Sequence, residues 1–227
     1  MKVKIQQDRN RPLTVIFCIP GRSFSGLFLQ CWSELMQKCM RNGIQPLLAQ
    51  AYDPNIYYVR NKCLGGNVLR GIHQKPFGGT LSYDLLLWID SDIVFSFEQL
   101  VQLIKRDKDI VAGHYLMQGG KQLAVVEDWD TDYFKANGTF RFMTPEDLAG
   151  KTDLFEVAYT GFGFVLMKYG VMESLDYPWF RPVNHDMGEI SDFSSEDASM
   201  CCLLREKGFK IFVDPMVKVG HEKEAVL

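Results

Sequence analysis

From Tyr83 to Phe95 the chain reads Tyr-Asp-Leu-Leu-Leu-Trp-Ile-Asp-Ser-Asp-Ile-Val-Phe. Leu85 to Ile89 is an unbroken apolar run without alternation, the pattern of a strand buried on both faces. Such a strand needs a layer of structure above it and another below, which points to an α/β architecture. The run stops at Asp90-Ser91-Asp92. In an extended chain, side chains two positions apart point the same way, so both carboxylates are expected to face one spot. Two acids at the end of a buried strand are costly unless something positive meets them. A divalent cation carrying a phosphorylated ligand suits that position, because hard metals take carboxylate oxygens and keep sites open for phosphates. The plainer reading is a strand end and a turn, or Asp92 as a helix cap, and the triplet alone leaves both open.

The remainder of the chain can build the layers this strand requires. Its 227 residues fit one sizeable domain with a core that needs no disulfides. The apolar share of 47% and the charged share of 23% are those of an ordinary globular protein. A net charge of −3 gives no general basic surface, so nonspecific attraction to nucleic acid or anionic membrane is not indicated, although local basic patches are compatible with it. Cys18, Cys31, Cys39, Cys63, Cys201 and Cys202 contain no Cys-x-x-Cys pair and read as free thiols of a reducing compartment. The polar opening, residues 1–12, resembles neither signal peptide nor anchor, and no apolar run approaches membrane-spanning length. The expectation is a soluble, cytoplasmic protein.

In order, Leu13 to Ile19 is expected as a strand and Gly26 to Arg41 as a helix opened by Ser23 or Ser25 and ended by Asn42-Gly43. A strand over Ile44 to Ala51 completes the unit that builds a parallel sheet. A second helix is expected over Tyr57 to Arg70, weakened by Gly65-Gly66. Ser96 and Gln99 form a capping box for a helix to Lys105, and Asp109 to His114 is a short strand. Residues 118–154 read as an insertion with short strands at Leu123 to Val126 and Thr139 to Met143, and the acids from Glu127 to Asp132 as a solvated loop. Asn137-Gly138-Thr139 reads as a turn. Phe155 to Tyr159 is a strand candidate, and Thr160-Gly161-Phe162-Gly163 is either a loop bringing backbone to a ligand or a tight turn with Phe162 in the core. Gly170 to Leu175 reads as a short helix, and Pro178 to Phe193 as an irregular loop long enough for a lid. Ser194-Ser195-Glu196-Asp197 opens a last helix that Gly208 ends, Lys210 to Val213 is a strand, Asp214-Pro215 turns, and Gly220-His221 follows.

Taken together, these features resemble the GT-A glycosyltransferases, from Leu13 to about Glu222. The likeness is carried by the strand with Pro20-Gly21-Arg22, by Arg60-Asn61, by Leu-Trp-Ile-Asp90-Ser91-Asp92, and by Thr160-Gly161-Phe162. Its last part is Glu196-Asp197 followed by Gly-Phe-Lys-Ile-Phe-Val-Asp214-Pro215 and His221. More narrowly, the chain is similar to the small Asp-x-Asp, mannan-polymerase-like transferases and those of phages and large viruses. His114-Tyr115-Leu116-Met117 departs from the Tyr-Pro-x-Lys of that group.

The resemblance implies a Rossmann-like, mostly parallel sheet flanked by helices, with a small antiparallel insertion. It also implies a hexosyl- or pentosyltransferase that uses a UDP- or GDP-sugar. Asp92, Asp90 and His221 would hold the metal, Mn²⁺ or else Mg²⁺. Arg22, Asp53, Arg60, Asn61, Asp90, Ser91, Gly161 and Phe162 would line the donor pocket. Asp197, or Glu196 if the register differs by one, would be the base of an inverting transfer. The acceptor would be a glycan or a hydroxymethylated DNA base. A sugar nucleotidyltransferase and a non-catalytic nucleotide- or carbohydrate-binding domain stand as alternatives. The first usually carries a Gly-rich phosphate loop, for which Pro20-Gly21-Arg22-Ser23 is too short. The second has no need of a base.

Overall fold

The computed structural model of the chain describes residues 11–223, so most of the polar opening segment lies outside the described residues. In chain order the elements are β1 (Leu13–Pro20), α1 (Gly26–Arg41), β2 (Ile44–Ala51), α2 (Ile56–Cys63), β3 (Leu85–Ile89), β4 (Ile93–Val94), α3 (Phe97–Lys105), β5 (Ile110–His114), β6 (Val125–Val126), α4 (Thr131–Asn137), β7 (Phe155–Val157), β8 (Tyr159–Thr160), β9 (Phe164–Lys168), β10 (Asn184–Asp186), β11 (Ser191–Phe193), α5 (Glu196–Glu206), β12 (Ile211–Lys218) and β13 (Gly220–His221). Seven strands form one sheet in the order β2-β1-β3-β9-β5-β12-β7. Strands β1, β2 and β3 are mutually parallel, as are β5 and β12, while β9 and β7 run against their neighbours.

Strand parity divides the core in two. Val15, Phe17 and Ile19 of β1, with Leu85, Leu87 and Ile89 of β3, pack against Phe28, Leu35 and Cys39 of α1 and Leu100 and Leu103 of α3. The alternate residues Ile16, Cys18, Leu86 and Trp88 face Cys63 of α2 and Met200, Cys201 and Leu204 of α5. Helices therefore cover both faces, as the unalternating run in β3 requires. The local signals act as expected at several ends. Ser25 caps α1, the Ser96–Gln99 box caps α3, and Gly43 and Gly208 follow their helices at φ +71° and +85°. All six cysteines are free thiols.

Four expectations are corrected. The second helix stops at Cys63, where Gly65 (φ +72°) reverses the chain, and only a 3₁₀ turn forms at Val68–Arg70. Among the described residues, 139–143 form no strand, although Met143 accepts from the Leu123 amide at 2.8 Å and donates to Val125 O at 2.9 Å. β6 pairs instead with β8, and Asp130 caps α4 through the Tyr133 amide at 2.8 Å, with Gly138 as its left-handed C-cap. Asp214-Pro215 does not end a strand: β12 runs on to Lys218 through a bulge, where a proline costs no ladder hydrogen bond. Finally, the irregular loop before α5 contains the β10–β11 hairpin.

Candidate functional site

The Asp90-Ser91-Asp92 turn sits at the carboxyl end of β3. Ile93 N donates to Asp90 O at 3.1 Å, so the triplet is a tight turn and not a continuation of the strand. The expectation that both carboxylates face one spot rested on extended geometry, and here each is held by different partners. Asp90 goes to Arg60, and Asp92 to His221 and Lys223. Ser91 packs against Gly21: a Cβ on that glycine would lie 2.7 Å from Ser91 Cβ, so the loop after β1 closes on the turn only without a side chain there.

Arg60 is the buried hub of the site, 2% exposed. Its Nη2 donates to Asp90 Oδ2 at 3.2 Å, and Nε and Nη2 donate to Glu196 Oε1 at 3.2 and 3.1 Å. Nη1 lies 3.0 Å from Asp90 Oδ1, close as an ion pair but not aligned as a hydrogen bond. The rings of Trp88, Phe162 and Phe180 surround the guanidinium at 5.5–5.8 Å. Burial would lower the Arg60 pKa, but the charges of Asp90 and Glu196 outweigh it and raise it. Burial pushes the Glu196 carboxyl above its ordinary range, against the opposing charge of Arg60. Phe162 is therefore a core residue, 1% exposed, and the tight-turn reading of its loop is the one observed. Asn61 is equally committed. Its amide donates to Phe180 O (2.7 Å) and Tyr57 O (2.8 Å) and accepts from Phe180 N (3.2 Å), which clamps the segment before the β10–β11 hairpin to α2.

Asp197, in the first turn of α5, is held only by neutral donors. Tyr159 Oη donates to Oδ2 at 2.8 Å, the Ala198 amide to Oδ1 at 2.8 Å, and Ser195 Oγ also reaches Oδ1. A carboxylate offers about four acceptor positions, so one remains. Glycines 161 and 163 make room for Tyr115. A Cβ at Gly161 would run into its Oη, and one at Gly163 would lie 2.7 Å from its ring, while the Gly163 amide donates to Tyr115 Oη at 3.2 Å.

His221 comes to Asp92 through β13, which pairs antiparallel with β4. The Glu222 amide donates to Asp92 O at 2.7 Å, and Ser25 Oγ donates to the Glu222 carboxylate at 2.5 Å. His221 Nδ1 lies 2.7 Å from Leu116 O, a partner that only accepts, so Nδ1 carries the proton. In the neutral ring Nε2 then holds a lone pair, and it is 3.1 Å from Asp92 Oδ2. Two electron-rich atoms so placed require a cation, either a proton on the ring or a metal between them. Lys223 Nζ also sits on Oδ2 at 2.6 Å. Burial would raise the Asp92 carboxyl, but hydrogen bonds from His221 and Lys223 outweigh it and hold it at about 2.

Among the described residues no group of three or more His, Cys, Asp or Glu is arranged to hold a metal ion. The Asp92–His221 pair offers two such side chains, fewer than a closed structural site uses. Asp90, the third ligand named from the sequence, is occupied by Arg60.

Arg22 and Asp53 lie beyond the ends of β1 and β2. The exposed Arg22 guanidinium is 5.7 Å from the Tyr52 ring, and Asp53 accepts from the Asn55 amide (2.9 Å) and Lys62 Nζ (2.6 Å). Tyr115, Tyr159 and Lys223 complete the arrangement and were not singled out from the sequence. Lone tyrosines and a lysine carry no spacing signal, although Tyr115 lies in the segment that departs from the narrower family pattern.

No protein-family profile matches the sequence, and neither does any curated protein. Solved structures similar to it include A197 from STIV and GalNAc-T7. A197 from STIV superposes with a TM-score of 0.51 at 16% identity, covering 95% of this chain and 96% of its own. GalNAc-T7, solved with UDP, GalNAc and Mn²⁺, superposes with a TM-score of 0.52 at 12% identity over 94% of this chain. The chain spans 44% of the length of GalNAc-T7. The fold is the mixed α/β architecture of GT-A glycosyltransferases. Among the described residues no helix is long and apolar enough to cross a membrane.

Proposed function

We propose that this chain is a glycosyltransferase that moves a sugar from a nucleoside-diphosphate sugar to an acceptor hydroxyl. The observation that carries the reading is the Asp92–His221 pair, whose ring tautomer is fixed by Leu116 O so that Nε2 faces the carboxylate at 3.1 Å. A structure with the same fold contains a nucleoside diphosphate, a sugar and Mn²⁺, which agrees with it. Asp92 and His221 would hold a divalent cation, Mn²⁺ in preference to Mg²⁺ because the ligands mix carboxylate with imidazole. When bound, it supplies the positive charge that a departing diphosphate needs. Lys223 must release Asp92 Oδ2 for that carboxylate to become a ligand, and its flexible stem permits this.

Glu196 and Asp197 divide the acidic work. Glu196 is the counter-charge of a buried guanidinium, so it holds Arg60 and through it Asp90 in place. Asp197 is in no direct ion pair among the described residues and keeps an acceptor position, which suits a general base. In an inverting displacement the acceptor oxygen bonds to the anomeric carbon. The bond to the diphosphate breaks with its electron pair, and the hydroxyl proton passes to Asp197. Arg22, with Tyr52 beside it, is the exposed cation available to the nucleotide. A glycan is the favoured acceptor, because a net charge of −3 opposes the phosphate neutralisation on which duplex DNA binding rests.

A panel of UDP- and GDP-sugars incubated with and without Mn²⁺ tests the reading. Metal-dependent release of nucleoside diphosphate supports it. Release of pyrophosphate would mark a nucleotidyltransferase, and no release a binding domain. Asp197→Asn should lower turnover by about a hundredfold or more while leaving Mn²⁺ and nucleotide binding intact. Full activity in that variant would remove Asp197 from the role of base.

A further inference from the structure

The loop that follows α2 is built stiffly, yet it holds apolar side chains in water. The Gln74 side chain, 9% exposed, staples it shut. Its Oε1 accepts from Asn67 N at 3.0 Å, and its Nε2 donates to Asn67 O and Gly71 O, both at 2.8 Å. Asn67 Oδ1 caps the enclosed turn through the Leu69 amide at 2.9 Å, Gly71 reverses the chain at φ +74°, and Tyr177 N anchors Ile72 O at 3.0 Å. On this fixed frame Val68, Leu69 and Ile72 are 76, 90 and 60% exposed. Isolated exposed aliphatic residues are ordinary, but three within five positions of a pinned loop mark a contact surface.

Along its own stretch of chain the charges are of one sign, and the acids brought beside it in the fold are Glu173 and the exposed Asp176, next to the Tyr177 that holds Ile72 O. From Pro54 to Tyr83 the sequence contains no Asp or Glu. Arg70 and Lys75 are exposed and donate only to backbone carbonyls, of Gly65 (3.5 Å) and Glu173 (2.8 Å), and neither has a carboxylate partner among the described residues. The Glu173 carboxylate is taken by Tyr83 Oη and the Gly170 amide. This local excess of positive charge stands out on a chain of net charge −3.

We propose that residues 67–75 dock the protein on an anionic lipid surface. Val68, Leu69 and Ile72 enter the headgroup boundary, while Arg70 and Lys75 face lipid phosphates and carboxylates. Apolar insertion combined with juxtaposed cations is the pairing of forces that holds peripheral proteins on such membranes. A second copy of the chain is the poorer occupant, because a two-fold contact through this loop would set its cations against their own mates. The inference does not depend on sugar transfer.

Flotation of the full chain with phosphatidylcholine vesicles, with and without roughly 30% phosphatidylserine, tests it. Binding should require the anionic lipid and weaken as salt rises. Replacing Val68, Leu69 and Ile72 together by serine should cut the bound fraction about tenfold or more. Arg70→Gln with Lys75→Gln should abolish the preference for phosphatidylserine. All five side chains are exposed, and unchanged circular dichroism and Tm show that the variants fold. Failure of the folded wild-type chain to bind anionic vesicles overturns the proposal, as does binding indifferent to these substitutions. So does a concentration-dependent dimer, seen by sedimentation velocity, that the triple serine variant abolishes.

Discussion

Arg60 shows what a single residue type can and cannot announce. The resemblance makes Arg60, beside Asn61 in the last turn of α2, a donor-pocket candidate. In the folded chain the guanidinium is given to Asp90 and Glu196, and three aromatic rings close around it. Those partners come from β3, the 160–163 turn, the segment before the β10–β11 hairpin and α5, so no local spacing foretells them. Replacing Arg60 by methionine keeps the bulk but leaves two mostly buried carboxylates without a counter-charge. The expected cost is about 3–5 kcal/mol, read as a lower Tm and an earlier urea midpoint. A neutral outcome would mean that water reaches Asp90 and Glu196 freely.

Elements were legible in proportion to their length and to the clarity of their ends. β1, α1, β2, β3 and α3 carry strong period and recognisable caps, and they form nearly where the residues place them. The two-residue strands β4 and β13 owe their existence to each other across the fold, so no run of residues could signal them, whereas β6 lies inside the Leu123 to Val126 run and β8 starts at the end of the Phe155 to Tyr159 run. β12 is the instructive intermediate. Asp-Pro reads locally as a turn, but Arg106 of the α3 C-cap donates to both oxygens of the buried Asp214, at 2.7 and 3.0 Å, and the Met216 amide donates to it at 3.0 Å. These bonds hold the bulge within the strand. Burial alone would raise the Asp214 carboxyl, but the Arg106 and Met216 bonds outweigh it and keep it below the ordinary range. A carboxyl depressed in the folded state contributes its stability in full above about pH 4, and that share is lost as pH falls through the lowered value. Asp214→Ala should therefore cost about 2–3 kcal/mol at neutral pH. The gap in Tm between wild type and variant should narrow below about pH 4, and a gap that is constant with pH would place the effect in packing.

At the scale of the whole molecule the site is a meeting of distant segments. Asp92 and His221 are 129 positions apart, and Ser25 and Glu222 are 197 apart. The unalternating run of β3 foretold a layer on each face, and the family resemblance implied that the late histidine returns to the Asp-x-Asp turn. Which carboxylate it would meet depended on the turn at residues 90–92, a detail that extended geometry misjudged. Because β13 lies outside the seven-stranded sheet, removing the chain from Gly220 onward should leave that sheet standing. We expect Tm to fall by only a few degrees and Mn²⁺ affinity, read by isothermal titration, to fall at least about tenfold. Loss of cooperative unfolding would show instead that the C-terminal segment is needed for the fold.

Tyr115 fills the room that Gly161 and Gly163 leave, and its ring stands 4.9 Å from that of His221. Neither glycine can drift while the tyrosine stays, since a methyl group at either collides with it. A smaller residue at position 115 does not by itself admit alanine at the glycines, since a Cβ at Gly161 would still lie 3.0 Å from Ala124 Cβ and one at Gly163 2.9 Å from Ile93 Cδ1. Diverging copies of this fold that lose the tyrosine would then keep both glycines unless positions 93 and 124 change with it.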